Sequence, residues 1–420
     1  MSVTSILADM SFLRSQVVTA ALTANAIRPV PGFRAGIPAF FAGWWTGELA
    51  PHVLAVTTAD ALAHATGRRR DVRGLALAGA SAAGLAYLIR QARQVGETAE
   101  AALVEGLGAD YVQQLDAAPT PADLAVPWRK LVYPFRMREP RVRVHRNIAY
   151  DDETGRRGLL DVYVPAETPP QGAPVLLQVH GGGWTIGNKD QQGIPLMQHL
   201  AAKGLVCVAI NYRLSPRDAF TAHVIDVKKA IAWIKEHIES YGGDPDYLAI
   251  TGGSAGGHLC ALAALTPGKK EWQPGFEDVD TSVQVAVPHY GVYDFAGSTG
   301  LRSAELMRDR FLAPRVLQKR WTEDPEAFEE ASPILQVTED APDFFVLHGQ
   351  RDTLVDVGQA RLFVEQLRRT SKRTVVYAEL PGAQHAFDVF PSIRSSYIVR
   401  AIDRYLHWHW NQYRRERQPA

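Results

Sequence analysis

The sequence predicts an α/β fold in which a mostly parallel, eight-stranded sheet carries helices on both faces and follows an N-terminal helical region. Two observations predict it. Before residue 140 the chain is Ala-rich and apolar, with a single lysine, Lys130, whereas after it short β-branched runs alternate with amphipathic ones. Strands that alternate with helices are typical of parallel sheets, because each crossover helix covers one face of the sheet.

Length and charge divide the chain without indicating a charged partner. At 420 residues the chain exceeds the usual size of one domain. We expect an N-terminal helical region over 1–117, a linker containing prolines over 118–140 and an α/β region over 141–413. Basic and acidic side chains balance at 45 each, which excludes attraction of nucleic acid by bulk charge.

The sequence also calls for no cofactor. Cys207 and Cys260 lie in apolar runs without metal-ligand spacing, so we expect both to be small buried residues. The glycine-rich segment Gly252–Gly257 lacks the lysine that a phosphate-binding loop would need. We therefore predict neither a metal nor an organic cofactor.

Eight short runs rich in Val, Ile, Leu, Phe and Tyr follow residue 140 and are predicted to be the strands. The first two are predicted to pair as an antiparallel hairpin, with Gly155–Gly158 in the turn. In chain order the runs are RVRVHRNIAY, LLDVYV, PVLLQVH, LVCVAINY, YLAITGG, VQVAVPHYG, DFFVLHG and TVVYAELPG.

The candidate nucleophile lies in a GxSxG sequence between the strand YLAIT and an apolar helix. Gly252, Ser254 and Gly256 form its pattern. A serine on such a strand-to-helix turn presents its oxygen at the carboxyl edge of the sheet, and small neighbours avoid clashes there. A glycine-rich turn with an incidental serine is the alternative, but it explains none of the downstream features.

Donors for a developing oxyanion are predicted in the segment His180–Trp184, HGGGW, directly after the strand PVLLQV. Its glycines would let backbone amides approach a substrate without a Cβ in the way. We expect donors from Gly182 and Gly183, with Gly181 as a further candidate, and from Ala255, the residue after the nucleophile.

An acid and a base are expected in the loops after the last two strands. Asp352 follows DFFVLHG, and His385 follows TVVYAELPG, which places both at the same sheet edge as Ser254. Asp356 competes for the acid role, but we expect it to cap the next helix. These residues would act as nucleophile, base and acid in acyl transfer. Three other histidines are expected to be structural: His258, His289 and His348.

The motifs HGGGW and GGSAGG, followed by Asp352 and His385, resemble the hormone-sensitive-lipase-like branch of the α/β-hydrolases over about residues 141 to 410. The segment Tyr212–Pro216 fits as well, whereas Gly253 departs, because many relatives have an acidic residue there. The resemblance implies a carboxylesterase or lipase with a cap formed by N-terminal helices and an insertion, here 293–333. Five residues of this stretch are candidates for lining the acyl pocket: Leu301, Leu306, Met307, Phe311 and Leu312.

Three readings of the activity stay open. The triad specifies acyl transfer but not the leaving group, so an amidase, deformylase or acyltransferase would use the same residues as a carboxylesterase acting on a small-molecule or lipid acyl ester. A non-catalytic binder on this scaffold is the third reading. The presence of His385 argues against it, because receptors of this family have lost the histidine.

The N-terminal region is interpreted in two ways. Two apolar stretches within 35–89 flank a basic loop and could form a membrane hairpin, with the protein in the cell envelope. The second stretch, 74–89, would cover only about 24 Å of a hydrocarbon core roughly 30 Å thick, and Glu48 is unwelcome in lipid. The alternative is a set of soluble cap helices in a cytoplasmic protein. The basic loop consists of Arg68, Arg69, Arg70 and Arg73.

A cluster of cations follows the linker and would suit an anionic headgroup surface, although a solvated edge strand has the same composition. Aromatic residues interleave with it at Trp128, Tyr133 and Phe135. The cations are Arg129, Lys130, Arg136, Arg138, Arg141, Arg143 and Arg146.

Overall fold

A computed structural model of the chain describes residues 3–67, 71–167 and 171–417. The helical prediction for the N-terminal region is confirmed, and short helices also interrupt the linker. These helices are α1 (Val3–Ile27), α2 (Phe33–Glu48), α3 (Ala50–Ala65), α4 (Val72–Leu107), α5 (Pro121–Leu124) and α6 (Trp128–Val132).

The predicted eight-stranded sheet is confirmed, in the order β1-β2-β4-β3-β5-β6-β7-β8. Strand β2 pairs antiparallel with β1 and with β4, and the other neighbouring pairs are parallel. The strands are β1 (Val142–Ala149), β2 (Leu159–Pro165), β3 (Ala173–Val179), β4 (Val206–Ile210), β5 (Gly243–Gly253), β6 (Val285–His289), β7 (Asp343–Gly349) and β8 (Val375–Leu380).

Helices cover both faces of this sheet, and each face has its own hydrophobic core. Alternate strand residues point to opposite cores: Leu177 lies in one and Leu176 in the other, as the period of two requires. The remaining helices are α7 (Ile194–Ala202), α8 (Ala222–His237), α9 (Ala255–Leu265), α10 (Arg302–Met307), a π-helix (Arg308–Leu317), α11 (Pro325–Glu330), α12 (Val357–Thr370) and α13 (Ile393–Arg417).

The N-terminal region is joined to the α/β region by shared cores. The second half of α4 packs against α13 and β8, and Val95, Ala99 and Leu103 are buried in the same core as β3 and β8. The boundary that composition suggests near residue 140 therefore does not separate two independent cores.

The stretch proposed as the first arm of a hairpin is divided between two helices. Residues 35–59 fold as two helices, α2 and α3, that meet at Leu49. Glu48 is fully buried and forms an ion pair of 2.9 Å with Arg394 of α13, so this end of α2 lies on the α/β region. The physical reason is the charge, which is stable in a buried position only with a partner.

The second arm is longer than its apolar composition indicates. Gly74–Ile89 is only the first half of the 36-residue helix α4. Among the described residues, Val72–Leu107 is one helix long and apolar enough, by length and composition, to cross a membrane. Arg68, Arg69 and Arg70 of the basic loop lie outside the described residues.

Candidate active site

The turn between β5 and α9 holds Ser254 in a backbone conformation that residues other than glycine rarely adopt, with φ 59° and ψ −120°. Such strain costs on the order of 1–3 kcal/mol and persists only where the surroundings enforce it. A Cβ on Gly252 would lie 2.5 Å from the carbonyl oxygen of Gly256, and a Cβ on Gly256 would clash with the carbonyl of Val179. The glycines are therefore required by close backbone packing around the serine.

The glycine loop after β3 brings backbone amides to the same place. Gly182 and Gly183 have φ of 120° and 58°, and among the described residues none accepts a hydrogen bond from their amides. Gly181 differs from the expectation, because its amide donates to Oε1 of Gln192 at 2.7 Å. Its N–H is occupied, which leaves Gly182 and Gly183 as the loop's candidate donors.

Side chains on either end of this loop fix its position. Trp184 donates from Nε1 to Nδ1 of His258 at 3.2 Å, and Nε2 of His258 contacts the carbonyl of Ala331 at 2.8 Å. Burial lowers the pKa of His258 to about 3, so the ring is neutral and bridges the two groups. The ring of His180 stacks on Tyr212, whose hydroxyl donates to the carbonyl of His180. His258 is structural, as expected.

The loops after β7 and β8 bring Asp352 and His385 together. Nδ1 of His385 lies 2.6 Å from one carboxylate oxygen of Asp352, and the other oxygen accepts from the amides of Leu354 and Val355. Burial by itself would raise the pKa of Asp352, but the charge of His385 and hydrogen bonds from His385 and His348 outweigh it and hold that pKa below its usual range. The carboxylate is therefore ionised at neutral pH.

The other ring nitrogen of His385, Nε2, makes no hydrogen bond to a described residue. A base that is paired on one nitrogen only can still take a proton on the other. Asp356, the competitor for the acid role, accepts from the amide of Gly358 and caps α12. His348 was expected to be structural, yet its Nε2 lies 3.3 Å from Asp352.

A second histidine–carboxylate pair lies beside the first and was missed by the sequence analysis. Nδ1 of His289 is 2.6 Å from Asp388, and the hydroxyl of Tyr290 donates to the same carboxylate. The ring of Tyr290 packs against His385, with 4.5 Å between ring centroids. A Cβ on Gly253 would meet this tyrosine ring, which explains why no acidic side chain precedes the nucleophile.

Helix α2 of the N-terminal region covers the candidate base, His385. The sequence analysis expects N-terminal helices in a cap but does not identify this helix or its contacts. The ring of Phe40 packs edge-on against that of His385, with 5.8 Å between the ring centroids. Nε1 of Trp44 donates to the carbonyl of Ala386 at 2.8 Å. Thr353, next to the acid, donates from its hydroxyl to the carbonyl of Gly36. The N-terminal region thus contacts the loops of both acid and base, and no motif in the sequence gives these partners.

A cavity of about 720 Å³ lies between the start of α2, α10 and the loop of the acid. Two of the five proposed lining residues, Leu306 and Met307, face it, whereas Ser254 and His385 are not among its lining residues. Phe311 instead approaches Gly183 of the glycine loop. Leu312 is fully buried in the core, and Leu301 packs at Gly358.

The strand order, the serine between β5 and α9, and the residues after β7 and β8 define an α/β-hydrolase. Esterase B of Lactobacillus rhamnosis has the same fold, with a TM-score of 0.55 at 20% identity over 66% of this chain and 90% of that one. A truncated carbohydrate esterase from gut microbiota matches with a TM-score of 0.52 at 23% identity, over 63% of this chain and 96% of that one.

Sequence relatives narrow the class to a family. The chain is 46% identical over 400 residues to probable carboxylic ester hydrolase LipM of Mycobacterium tuberculosis, which covers 93% of this chain and 91% of LipM. It is 40% identical to esterase LipC of the same organism over 73% of this chain and 75% of LipC. The family model described as BD-FAE matches residues 160–367. The chain belongs to the hormone-sensitive-lipase-like carboxylesterases.

Proposed function

We propose that this protein is a carboxylic ester hydrolase in which Ser254 is the nucleophile, His385 the base and Asp352 the acid. The observation that carries the assignment of residues is the buried hydrogen bond of 2.6 Å between Asp352 and His385 at the sheet edge where Ser254 sits in its strained turn. The names and identities of the relatives support an ester as the substrate.

In the proposed reaction Nε2 of His385 takes the proton of Ser254 as Oγ bonds to the acyl carbon. The carbonyl π electrons move to oxygen, and Asp352 stabilises the imidazolium that forms. Collapse of the tetrahedral intermediate breaks the bond to the alcohol oxygen, and His385 gives that oxygen its proton. Water then attacks the acyl-serine by the same steps in reverse, which releases the carboxylic acid and restores the serine.

Three amides are proposed to bind the oxyanion of that intermediate: those of Gly182, Gly183 and Ala255. Ala255 is the first residue of α9, so its N–H has no partner within the helix and lies at the positive end of the helix dipole. Loss of one such donor typically raises the barrier by about 2.7 to 4 kcal/mol.

A cap over this site is proposed to have two parts. Residues 293–333, between β6 and β7, contribute α10, the π-helix and α11. Helix α2 contributes the side that contacts His385. The cavity between these parts, with Leu306 and Met307 on its wall, is the proposed acyl site.

The first experiment measures hydrolysis of p-nitrophenyl esters from acetate to palmitate. Ser254→Ala should abolish turnover, and Ser240→Ala, at a serine on the surface after α8, is the matched control that should not. Turnover that survives in Ser254→Ala would overturn the assignment of the nucleophile. If the protein hydrolyses amides or transfers acyl groups but cleaves no ester, the ester substrate is wrong.

We further propose that the protein acts at a membrane, in the cell envelope and in lipid metabolism, on a lipid acyl ester. Helix α4 supports this by its length and apolar composition, with 28% of its most apolar window buried. Helices α1 and α3 pack against α4 and would enter the membrane together with it.

A further inference from the structure

Three helices project from the α/β region as the N-terminal bundle, which we define as residues 12–27 of α1, α3 and residues 72–89 of α4. Its interior contains polar side chains: Gln16 and Ser81 are each only 1% exposed, and Thr23 and Thr57 are also buried. Its outer surface is largely apolar. The exposed large apolar residues are Val17, Val18, Leu22, Val56, Leu62, Val72 and Tyr87.

Leu85 and Leu88 are buried as well, so polar and apolar side chains share the interior, whereas the outer surface is largely apolar. A water-soluble bundle places polar and charged side chains on that surface instead. The helices also approach closely through small residues: a Cβ on Gly84 would lie 2.6 Å from Cγ2 of Thr23, and one on Gly74 would meet the ring of Phe12. Small residues at the contacts and polar groups between helices are typical of helices packed in lipid.

Most charged side chains of the bundle lie towards its two ends. Asp60 of α3 is an exception among the described residues, and it accepts a hydrogen bond of 2.7 Å from Gln16. Helix α4 has none over Gly74–Ile89, between Arg73 and Arg90, and α1 has none between Arg14 and Arg28. The contacts of α1 with α4 show that the two helices run parallel, so these charges lie at matching ends. The uncharged segment of α4 is about 24 Å long, which is shorter than a hydrocarbon core of roughly 30 Å. The long side chains of Arg73 and Arg90 at its two ends can extend their charged groups to the interfaces.

Aromatic and basic residues meet at the end nearer the α/β region. Arg93 of α4 lies over the ring of Trp128, with 5.6 Å to its centroid, and Leu131 of α6 packs on Ala92 of α4. Tyr133 follows α6 and is 73% exposed. Tryptophan, tyrosine and cations at one level of a helix bundle are typical of a membrane–water interface.

Helix α2 lies at this level and has two apolar faces. Its inner face contacts His385 through Phe40. Its outer face is exposed, with Ile37 at 60% and Phe41 at 51%. Four outer residues repeat at intervals of four along the helix, and the ring centroid of the last of them lies 5.9 Å from that of Phe135. These outer residues are Phe33, Ile37, Phe41 and Trp45.

We propose that the N-terminal bundle is embedded in a bilayer containing anionic lipid, that α2 lies in its interface, and that the ester hydrolysed is an acyl lipid from that bilayer. The substrate part rests on the proposed function. The cations of 129–138 supply the charge complementarity: Arg129, Arg136 and Arg138 line a surface cavity together with Tyr133. Among the described residues, these three arginines form no ion pair.

One substitution separates lipid from water as the surroundings of the bundle. Ala83 lies on the exposed face of α4, so arginine there would be harmless in water but strongly unfavourable at the centre of a membrane helix. Ala101, equally exposed on the same helix but beyond the interface, is the matched control. The full chain, purified in detergent, is reconstituted with vesicles of phosphatidylcholine and phosphatidylglycerol and floated on a density gradient.

The wild-type chain and Ala101→Arg should float with the vesicles, and the floating fraction of Ala83→Arg should fall about tenfold or more. Equal flotation of Ala83→Arg would overturn the embedding. So would a wild-type chain that stays soluble without detergent, and if that soluble chain is a dimer, a second copy covers the face. Hydrolysis of soluble p-nitrophenyl butyrate is measured in parallel, and its absence in every variant would contradict the proposed esterase instead.

The orientation of α2 is tested with the double variant Ile37→Glu, Phe41→Glu. It should hydrolyse soluble p-nitrophenyl butyrate at the wild-type rate but a diacylglycerol held in the same vesicles about tenfold more slowly, because α2 can no longer lie in the interface. Val279→Glu, at an exposed apolar residue before β6, should leave both rates unchanged. Equal rates of the double variant and the wild type on the vesicle ester would overturn the proposed substrate route.

Discussion

Two histidine–carboxylate pairs lie side by side at the carboxyl edge of the sheet, and their geometry is nearly identical. In each pair Nδ1 of the histidine is 2.6 Å from a carboxylate oxygen, between His385 and Asp352 and between His289 and Asp388. In both, burial opposes ionisation, but the charge of the histidine and the hydrogen bonds to the carboxylate together outweigh it, so that the pKa of each aspartate is lowered.

The pairs differ in what surrounds the second nitrogen. Nε2 of His289 faces the hydroxyl of Thr251 within the sheet, at 3.5 Å, and the carbonyl of His289 accepts from the amide of Ser254. Nε2 of His385 makes no hydrogen bond to a described residue. A histidine–aspartate pair becomes a candidate base only when its outer nitrogen can reach the reacting groups, whereas the same pair turned inward supports the backbone.

The largest difference in kcat between the two pairs is expected when the histidine of each is replaced by alanine. His385→Ala should lower kcat for an ester by roughly 10⁴ to 10⁶, because no other group takes the serine proton. His289→Ala should lower kcat by less than about tenfold and stability by about 1–3 kcal/mol, since it leaves a buried carboxylate short of a partner. Steady-state kinetics and urea unfolding of both variants check this, and comparable losses of kcat would break the distinction.

Replacing the two carboxylates should lower kcat in the same order, with a smaller difference between the two pairs than replacing the histidines. Asp352→Asn keeps the shape but favours the wrong imidazole tautomer, which lowers kcat by about 10⁴ in such triads. Asp388→Asn should reduce kcat by under about tenfold, because its histidine is not the base. The kinetics are measured on p-nitrophenyl butyrate, and a KM effect without a kcat effect in Asp352→Asn would contradict the proposed role.

A smaller effect is expected for the residue that joins the pairs. Tyr290→Phe removes the hydroxyl that donates to Asp388 but keeps the ring that packs on His385. Stability should fall by about 1 kcal/mol, and kcat should change by less than about threefold. Tyr290→Ala, which also removes the ring, should lower kcat further if packing holds the base in place. Equal kcat for both variants would exclude this positioning role.

The smallest expected effect is on the pH dependence of stability at acid pH. Because the folded pKa of Asp388 is lowered, its contribution to stability is present above the usual aspartate pKa of about 3.9 and is lost as the pH falls through the folded value. The stability difference between wild type and Asp388→Asn should therefore shrink between about pH 6 and about pH 3. Urea unfolding at both pH values measures it, and a constant difference would mean that the carboxylate is not ionised in the fold.

The sheet and the candidate triad could be predicted because their signals are local. The strand-flanked glycines around Ser254 and the order of Asp352 and His385 after successive strands depend only on neighbours in the chain. The same holds for the capping role of Asp356, which needs only the start of the following helix.

Contacts between partners that no motif or periodicity connects could not be predicted. Gln192 occupies the amide of Gly181, and Trp44 reaches Ala386, separated by 342 positions. Neither contact leaves a periodicity or a spacing in the sequence. The apolar stretch 35–59 was also ambiguous, because an apolar helix in lipid and an apolar helix on a protein surface have the same composition.

The ion pair between Glu48 and Arg394 bears on where the chain can be cut. It lies in the interior and joins the N-terminal region to the last helix, with Ser392 donating to the same glutamate. Separating the two parts would break this pair and expose the apolar surface that α4 buries against α13 and β8. A protease that nicks the chain between 115 and 120 would therefore leave two fragments associated as one enzyme, while the segment from residue 141 alone would lack the helix that covers its base.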